Sequence, residues 1–584
     1  MTIYSTLLKR GYFPKELPPS FYTELFSSFA TTKTGREVLD AYKPPENYTD
    51  CVAYELARSG GDRRKLEIPH PATYTTLAGL VARNMSRLLR KSGMSPFAKS
   101  RPVYSDNKER ALQGSVKPTN LTRERALIRS GARYLLKADV SGFYPSLYTH
   151  AVGWAVNAQL RQRENWHNKR LLGHKLDQAL MNLQGKISQG IPIGPDVSFL
   201  LAEIVLAQVD RALQVSPQRA FRWYDDYEFA CDTLEEAEGI KARLGELLRT
   251  FRIRLNPHKT KIVALPTPTE GEWHGQLLER GKGQLKSPED MVRYFDLAFH
   301  LRTRFPDAPV LLYAIGILFR LRRPSPEVGG VAESAITQAL LAEPGVAQKA
   351  YALLTFWTLN GYASDTALLG RTIDQIILRH EASGVSSDVA WALSFCLEHG
   401  LQLNKASGEV LSEANDSCVT IQAMHLQAEG LLNRGFSKAR IKQFLRSLAL
   451  DGEHWLLGYE SVRQGFDNTL RARVEKHALF GVMLDKEVTF YRRRLPPYAA
   501  VLHSGGGPQW VIRKWLRSLE KGAAVAEESV KAVPMLKDVG EDLESLAERK
   551  RSPDETILDL LDVLEPKDFA VLVEAGESYA GFSG

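Results

Sequence analysis

The chain has 584 residues, 44% hydrophobic and 25% charged, a composition typical of a soluble globular protein. Its length predicts two to four domains. It contains no run of about 18 uncharged apolar residues, so we expect no membrane span and no membrane partner. The first ten residues lack a signal-peptide core and the 4 cysteines lack metal-ligand spacing, which predicts a cytoplasmic protein with reduced thiols.

The net charge of +8 is unevenly distributed along the chain. Residues 1–285 contain 42 Lys/Arg and 29 Asp/Glu, a net charge of +13, whereas the remainder contains 34 and 39, a net charge of −5. Residues 51–137 alone contain 18 basic and 6 acidic side chains. Such a basic block fits a polyanion or a triphosphate better than a neutral substrate, although it could also be a solvated basic face.

Composition and periodicity divide the chain into four stretches. Residues 1–50 are predicted to be short helical pieces broken by prolines, and residues 51–285 a mixture of strands and helices. Residues 286–520 have an almost wholly helical pattern, which predicts a HEAT-like array of about seven helix pairs. Residues 521–584 are predicted to be a loosely attached helical tail. The predicted fold class is therefore α+β, followed by an all-α domain. Helices of the array are predicted at residues 291–303, 310–321, 346–359, 367–380 and 389–399.

A mostly apolar strand is predicted at residues 133–140, and it ends at an acid, Asp139. A carboxylate at a strand end, beside a turn, can reach a cation without being buried unpaired. Tyr144 follows five residues later and would bring an aromatic ring near any nucleotide held there. Taken singly, Asp139 could instead cap a helix and Tyr144 could belong to the core.

Residues 188–195, Ser-Gln-Gly-Ile-Pro-Ile-Gly-Pro, are predicted to form a rigid turn whose backbone can approach a ligand closely. Pro195 suits the first position of a following helix, whose backbone amides can hold a substrate. The alternative is an ordinary loop. The apolar face of that helix is predicted to consist of Val197, Leu200, Leu201, Ile204 and Val209.

Residues 221–230, Phe-Arg-Trp-Tyr-Asp-Asp-Tyr-Glu-Phe-Ala, are predicted to form a hairpin with Asp225 and Asp226 at its tip. Adjacent carboxylates repel each other unless a divalent cation neutralises them. Together with Asp139 they predict a Mg²⁺-dependent nucleotidyl-transfer site. Arg222 either contacts a phosphate or lies at the edge of the hairpin.

An acidic helix is predicted at residues 235–248, downstream of the Asp-Asp hairpin. It leads to the basic segment 251–261, which contains Lys259. A lysine in this place could give a proton to a leaving pyrophosphate as a general acid. Considered alone, Lys259 would be a surface lysine.

The order and spacing of these segments are similar to the palm of a reverse transcriptase. Asp139 resembles the first acid of the family, in its motif A, and the 188–195 turn resembles motif B. The Asp225-Asp226 pair resembles motif C, and Lys259 resembles motif D.

This resemblance implies that two Mg²⁺ ions are ligated by Asp139 and Asp225, with Asp226 close by and Val140 as a further ligand. It also implies that Tyr144 excludes a ribose 2′-OH, so that the substrates would be dNTPs. The substrate-binding residues that it suggests are Tyr144, Gln189, Gly190, Arg222, Arg123 and Arg125.

The same resemblance implies a right-hand-like arrangement of fingers and palm over residues 51–285. The chain departs from the family at one position. Most members have Tyr-x-Asp-Asp, whereas here Trp223 and Tyr224 precede the acids. The residue that usually packs under the primer end is therefore a larger indole.

Residues 7–21, 68–71 and 143–150 are similar to the abortive-infection (Abi) group of defence reverse transcriptases, closest to its AbiK-like members. A long helical region after the palm is similar too. The resemblance implies an antiphage enzyme that polymerises dNTPs into single-stranded DNA without a template, primed by one of its own tyrosine hydroxyls. The helical array would guide the product and hold a homo-oligomer, a trimer or hexamer. The candidate priming residues are Tyr42, Tyr48, Tyr54 and Tyr74.

Three other interpretations stay open. A templated reverse transcriptase could work on a bound non-coding RNA, since the basic block at residues 51–137 would hold a duplex equally well. A helical scaffold with an inactive palm is a second possibility, which the intact acids argue against. A nuclease site in the C-terminal half would rest on Arg471 and His477, which resemble the Arg-His pair of some defence ribonucleases.

Overall fold

The computed structural model describes residues 2–106, 110–283, 285–379 and 387–494. The tail predicted at residues 521–584 lies outside the described residues, as does the end of the predicted array. In the described part of the chain, none of the helices combines the length and the apolar character needed to cross a lipid bilayer. The cytoplasmic location stays a prediction.

The N-terminal part alternates short helices with two small hairpins. Its elements are α1 (Ile3–Arg10), α2 (Glu24–Thr31), α3 (Lys33–Ala41), β1 (Val52–Ala57), β2 (Arg63–Ile68), α4 (Pro71–Arg83), α5 (Met85–Ser92), β3 (Pro102–Tyr104), β4 (Leu112–Gly114) and α6 (Leu121–Ile128). β1 pairs antiparallel with β2, and β3 with β4. The short helices predicted before residue 50 are confirmed.

A four-stranded antiparallel sheet follows. Its strands and the elements between them are β5 (Tyr134–Asp139), α7 (Phe143–Ser146), α8 (Thr149–Val156), α9 (Leu172–Leu183), α10 (Asp196–Leu213), β6 (Ala220–Trp223), β7 (Asp226–Cys231), α11 (Leu234–Arg249), β8 (Lys261–Ala264) and α12 (Glu272–Lys282). The strand order is β6-β7-β5-β8. The predicted strand ending at Asp139, the Asp-Asp hairpin and the helix at residues 235–248 are confirmed.

The helix α10 lies at the centre of this region because it is buried on nearly every side. All five residues predicted for its apolar face are buried. It begins at Asp196, with Pro195 as N-cap, one residue later than predicted. The Asp196 carboxylate accepts hydrogen bonds from Arg110 Nε at 2.8 Å and from the Leu112 N–H at 2.9 Å. A satisfied carboxylate at a helix N-terminus is favourable, and this one joins β4 to α10.

The remainder of the described chain is helical. Its helices are α13 (Pro288–Arg304), α14 (Val310–Leu318), α15 (Pro326–Ala342), α16 (Ala347–Leu359), α17 (Thr366–Leu378), α18 (Ser387–His399), α19 (Lys405–Leu411), α20 (Ser417–Ala428), α21 (Lys438–Ser447), α22 (Trp455–Arg463), α23 (Arg471–Lys476) and α24 (Phe480–Asp485). The five helices predicted in this region are confirmed to within three residues at each end, and α15 is an additional helix.

These helices alternate between two stacked rows. One row consists of α13, α15, α17 and α19, and the other of α14, α16, α18, α20 and α22, each helix packing on the next of its row. In the second row, α18 and α20 also pack on β1. Stacked pairs of this kind are compatible with a HEAT-like array, which stays a prediction.

One continuous apolar core joins the N-terminal part, the sheet region and the helical rows. Two buried tryptophans of the helical rows also form hydrogen bonds with the N-terminal part. Trp391 Nε1 donates to the Glu16 carbonyl at 3.0 Å, and Trp455 Nε1 donates to the Ile68 carbonyl at 3.3 Å. Burial of an indole at such a junction is worth several kcal/mol, on the order of 3–5 when it is truncated to alanine. The boundaries predicted at residues 50 and 285 stay predictions.

Candidate active site

The acidic segments meet at one edge of the four-stranded sheet. Asp139 ends β5 and lies directly opposite Asp226, the first residue of β7, in antiparallel register. Residues directly opposite each other project from the same face, with Cβ atoms about 5 Å apart. Asp225 lies in the two-residue turn between β6 and β7. The structure therefore brings the three predicted acids to one point.

A buried arginine holds this turn from behind. Arg222 Nε donates to Asp210 Oδ2 at 2.8 Å, and its Nη1 donates to Glu203 at 3.1 Å and to the Tyr224 carbonyl at 2.8 Å. Ser100 Oγ donates to Glu203 at 2.7 Å and accepts from the Tyr224 N–H at 2.9 Å. Arg222 has no exposed surface, so the predicted phosphate contact is wrong. It lies in β6, an outer strand of the sheet, as the alternative prediction of a hairpin-edge arginine has it.

The turn carries local backbone strain. Tyr224 has φ of +54°, in the left-handed region, which costs a non-glycine residue about 1–2 kcal/mol. The two hydrogen bonds to its N–H and carbonyl offset part of that cost. Beside it, the Trp223 ring packs against Gly114 of β4, where an added Cβ would approach the indole to 3.2 Å.

The crowded surroundings raise the pKa of two of these carboxylates, Asp225 and Asp226. Burial, the charges of Asp225 and Asp139 and a hydrogen bond with the Asp139 carboxyl together raise the pKa of Asp226 to about 6. Burial and the charge of Asp139 raise the pKa of Asp225, whereas Arg64 and Lys259 lower it. Mutual repulsion of this kind is relieved when a divalent cation is bound between the carboxylates.

Lys259 reaches the same point from the loop before β8. Its Nζ lies 3.8 Å from Asp139 Oδ2, and its side chain is 66% exposed. Asn256 holds the loop in place, since its N–H donates to the Asp139 carbonyl at 2.7 Å and its Oδ1 accepts from the His258 N–H at 3.1 Å. Because the Lys259 side chain is exposed, its amine can change position while it remains beside the acids.

Tyr144 lies on α7, directly after the strand that ends at Asp139, and its ring is half-buried. Burial, followed by the nearby charges of Glu203, Tyr224 and Asp225, raises the pKa of Tyr144 well above its usual value. The phenol is therefore neutral at pH 7.

The 188–195 turn packs under this tyrosine. The Gly190 N–H donates to the Leu147 carbonyl at 3.0 Å and the Ile191 N–H to the Tyr144 carbonyl at 3.1 Å. These two amides are occupied, so the prediction that the turn amide of Gly190 binds a substrate is wrong. Gly190 has φ of +87°, and an added Cβ would lie 3.2 Å from the Pro145 carbonyl oxygen, so the position requires glycine. Gln189 is exposed.

Two arginines that the sequence motifs did not include interact electrostatically with the acids. Arg64 in β2 lowers the pKa of Asp225, and Arg58, directly after β1, is influenced by both Asp225 and Asp139. Both arginine side chains are exposed. Their position within the basic block at residues 51–137 was the only signal in the sequence that could have found them.

The two arginines predicted on α6 have different surroundings. Arg125 Nε lies 3.1 Å from Glu228 Oε1, and its guanidinium carbon lies 5.0 Å from the centre of the Phe221 ring. Its charge still lowers the pKa of Asp226. Arg123 is exposed on the same helix. Arg125 is thus engaged in packing α6 on the sheet, and Arg123 is accessible to a ligand.

The four candidate priming tyrosines differ in access. Tyr54 and Tyr74 have no exposed surface, and the Tyr74 hydroxyl donates to the Gly11 carbonyl at 2.7 Å. A buried phenol cannot reach a nucleotide unless its surroundings open, so the structure contradicts both as priming residues. Tyr48 is half-buried, in the segment between α3 and β1.

Tyr42 is half-buried and held by a polar cluster. Its hydroxyl donates to Asp451 Oδ1 at 2.7 Å and lies 2.9 Å from His477 Nε2. Burial raises the pKa of Tyr42 well above its usual value, and the hydrogen bond to Asp451 adds to the shift. His477 is thus engaged by Tyr42, whereas Arg471 pairs with Glu475 at 3.2 Å, so the structure gives no support to a nuclease pair.

Over the residues that the structure describes, no group of three or more His, Cys, Asp or Glu side chains is arranged so that it could hold a metal ion by itself. Mg²⁺ in substrate complexes commonly takes one or two protein carboxylates and fills its shell with water and substrate phosphates. Asp139, Asp225 and the Val140 carbonyl, which accepts no hydrogen bond from the described residues, are oxygen donors of that type. Burial and the neighbouring carboxylates raise the pKa of Asp226, and a cation bound beside these acids would favour their charged forms.

No protein-family model matches the sequence, and no curated protein is detectably similar to it. Solved structures that the comparison matches include the apo telomerase of Candida tropicalis, at 13% identity and a TM-score of 0.29 over 64% of this chain and 73% of that one. Another is telomerase from the same organism in complex with the TWJ fragment of telomeric RNA, at 13% identity and a TM-score of 0.27 over 60% and 64% of the two chains. Likeness at this level defines neither a family nor an activity for the chain.

Replacing Arg222 with methionine is expected to lower the free energy of unfolding by about 3–5 kcal/mol, because Glu203 and Asp210 would remain buried without their cation. Chemical denaturation followed by tryptophan fluorescence measures the change. Arg123→Met, at an exposed position, serves as the control and should stay within about 0.5 kcal/mol of the wild type.

The triple variant Arg222→Met/Glu203→Gln/Asp210→Asn removes the buried charges together and should recover much of the loss. A loss below about 1 kcal/mol for Arg222→Met would contradict the role given to this network.

Proposed function

We propose that this chain is a DNA polymerase of the reverse transcriptase type that acts in antiphage defence, as the Abi enzymes do, and polymerises dNTPs without a template. One observation carries the proposal: Asp139 and Asp226 are paired across two strands, with Asp225 in the adjoining turn. Carboxylates brought to one point by separate strands are the arrangement that metal-dependent nucleotidyl transfer uses. Residues 51–285 would then form fingers and palm.

In this proposal Asp139 and Asp225 hold two Mg²⁺ ions, with the Val140 carbonyl as a further ligand. Asp226 lies opposite Asp139 and forms a hydrogen bond with its carboxyl. Bound Mg²⁺ supplies charge neutralisation at the triphosphate and makes an attacking hydroxyl more acidic. Lys259, 3.8 Å from Asp139, donates a proton to the leaving pyrophosphate.

The exposed β1–β2 hairpin binds the triphosphate through its cations. The charges of Arg58 and Arg64 interact with those of the acids. Guanidinium groups bind phosphate oxygens through paired N–H donors. Tyr144 excludes the 2′-OH of a ribonucleotide. Arg123 and Gln189, both exposed, remain candidate contacts for the substrate.

The DNA would begin on a tyrosine hydroxyl of the chain itself. Tyr42 and Tyr48 are the candidates with exposed surface, and Tyr42 has a carboxylate and an imidazole at its hydroxyl that can accept its proton. The two helical rows would form a HEAT-like array that holds the protomers of a trimer or hexamer. The stacking of the rows on one another and on β1 supports such an array.

Asp225→Asn is expected to lower dNTP incorporation by at least about a thousandfold, because it removes a charge that the metal site needs. The reaction contains purified protein, labelled dNTPs and Mg²⁺, with no added nucleic acid. Label that stays on the denatured protein and is released by protease is measured. The control is Asp232→Asn, directly after the end of β7 that is far from the acids. Its side chain is 60% exposed, and this variant should retain full activity.

Retained incorporation by a folded Asp225→Asn protein would contradict the metal site. Label that depends on added or copurified RNA, and that is not attached to protein, would favour a templated enzyme with a non-coding RNA. Mass spectrometry of the linked peptide, compared between Tyr42→Phe and Tyr48→Phe, identifies the priming residue.

Tyr144→Ala is expected to lower the preference for dNTPs over rNTPs by about tenfold or more, since the space that the ring fills would admit a 2′-OH. The ratio of kcat/KM for dATP and ATP measures this. Tyr144→Phe keeps the ring and should keep the preference. Unchanged selectivity in the alanine variant would remove the gating role.

A further inference from the structure

Arginine and aromatic side chains alternate on the surface beside the acids. The guanidinium carbon of Arg252 lies 4.6 Å from the centre of the Tyr148 ring and 5.9 Å from that of Trp154. The guanidinium carbon of Arg161 lies 5.7 Å from the Trp154 ring centre and 4.5 Å from that of Phe251. We call these five residues the arginine-aromatic surface. It is unlike an ordinary charged face because each cation lies over a ring.

This surface begins where the acidic site ends. Two residues after Arg252, the Arg254 carbonyl accepts a hydrogen bond from the Ser141 N–H at 2.9 Å, and Ser141 lies two residues after Asp139. On the other side, Tyr148 pairs with Gln189 in an isolated bridge, next to the turn that packs under Tyr144. A strand leaving the acids would therefore meet these side chains.

The charge of the surroundings favours an anionic ligand. Residues 158–175 contain five Lys/Arg and one Asp/Glu, and residues 249–261 contain five Lys/Arg and no acid. Arg161 and Arg252 are exposed, and neither forms an ion pair with any described residue. Asp177 is paired with His150, whose ring packs edge-on against Tyr148.

The backbone at Arg252 is a second indication. Arg252 follows the end of α11, where its N–H donates to the Arg249 carbonyl at 2.9 Å and the Ile253 N–H donates to the Leu248 carbonyl at 3.1 Å. This pattern places Arg252 at the position that helices usually end with glycine, and its φ of +62° lies in the left-handed region. An arginine kept in a conformation that favours glycine points to a use for its side chain.

We infer that the arginine-aromatic surface binds single-stranded DNA, with Arg161 and Arg252 on the phosphates and the exposed edges of Tyr148 and Trp154 against the bases. Cations interleaved with rings are how proteins bind single strands without reading their sequence. This inference rests on the proposed function in one respect, that the strand bound here is the product made at the acids. The binding itself requires no catalysis.

The test uses the double variant Arg161→Ala/Arg252→Gly, since glycine suits the backbone at position 252 and the variant should fold. Fluorescence anisotropy measures binding of a labelled 20-nucleotide oligodeoxythymidine to the full chain, freed of nucleic acid and without dNTPs. We expect at least about a tenfold drop in affinity, and a salt slope smaller by about 0.7 for each phosphate that the protein no longer neutralises.

The control is Arg243→Ala/Arg371→Ala, which removes two exposed arginines elsewhere and should stay within about twofold of the wild type. Unchanged affinity in the test variant, or an equal loss in the control, would overturn the inference. A wild type that binds through this surface but incorporates no dNTP would refute the proposed function alone. A wild type that incorporates dNTPs while the test variant binds normally would refute this inference alone.

Discussion

Three carboxylates within reach of one another form the constraint on which the rest of this site depends. Strand register places Asp139 opposite Asp226, and a strained turn places Asp225 beside them. Like charges at this separation repel each other, so something must hold the turn in place. Arg222 does so from the core, where it is paired with two buried carboxylates. Such a network is costly to desolvate, and its location directly behind the turn indicates that it serves the position of Asp225 more than overall stability.

Positively charged side chains from separate parts of the chain interact with these acids at the end of the two central strands. Arg64 comes from the β1–β2 hairpin and Lys259 from the loop before β8. Because α18 and α20 pack on β1, the helical rows also support the hairpin that carries Arg64. In the proposed function, the acids and the cations around them bind a metal ion and a triphosphate together. The basic surface beside the acids then remains for the DNA strand.

The sequence was most informative where chemistry and local pattern coincide. Local sequence patterns predicted the Asp-Asp hairpin, the strand ending at Asp139 and five of the later helices. These patterns are the alternation of apolar and polar residues, the helical periodicity of apolar residues, and the glycines and prolines that end helices and strands. The role of Arg222 could not be predicted, because its partners lie on α10 and only tertiary packing brings them behind the turn. The helix α15 lies in the region predicted to be almost wholly helical, although its two adjacent glycines, at positions 329 and 330, lower a helix propensity that packing then overrides.

A crystal structure of the protein with Mn²⁺ and a non-hydrolysable dNTP analogue, with the metals located from their anomalous scattering, would show whether these acids bind metal. We expect two metal peaks, each about 2.1 Å from a carboxylate oxygen of Asp139 or Asp225, with the triphosphate between them and Arg64. Well-ordered density for the β6–β7 turn without metal at either carboxylate, at Mn²⁺ concentrations that saturate nucleotide binding, would contradict this expectation.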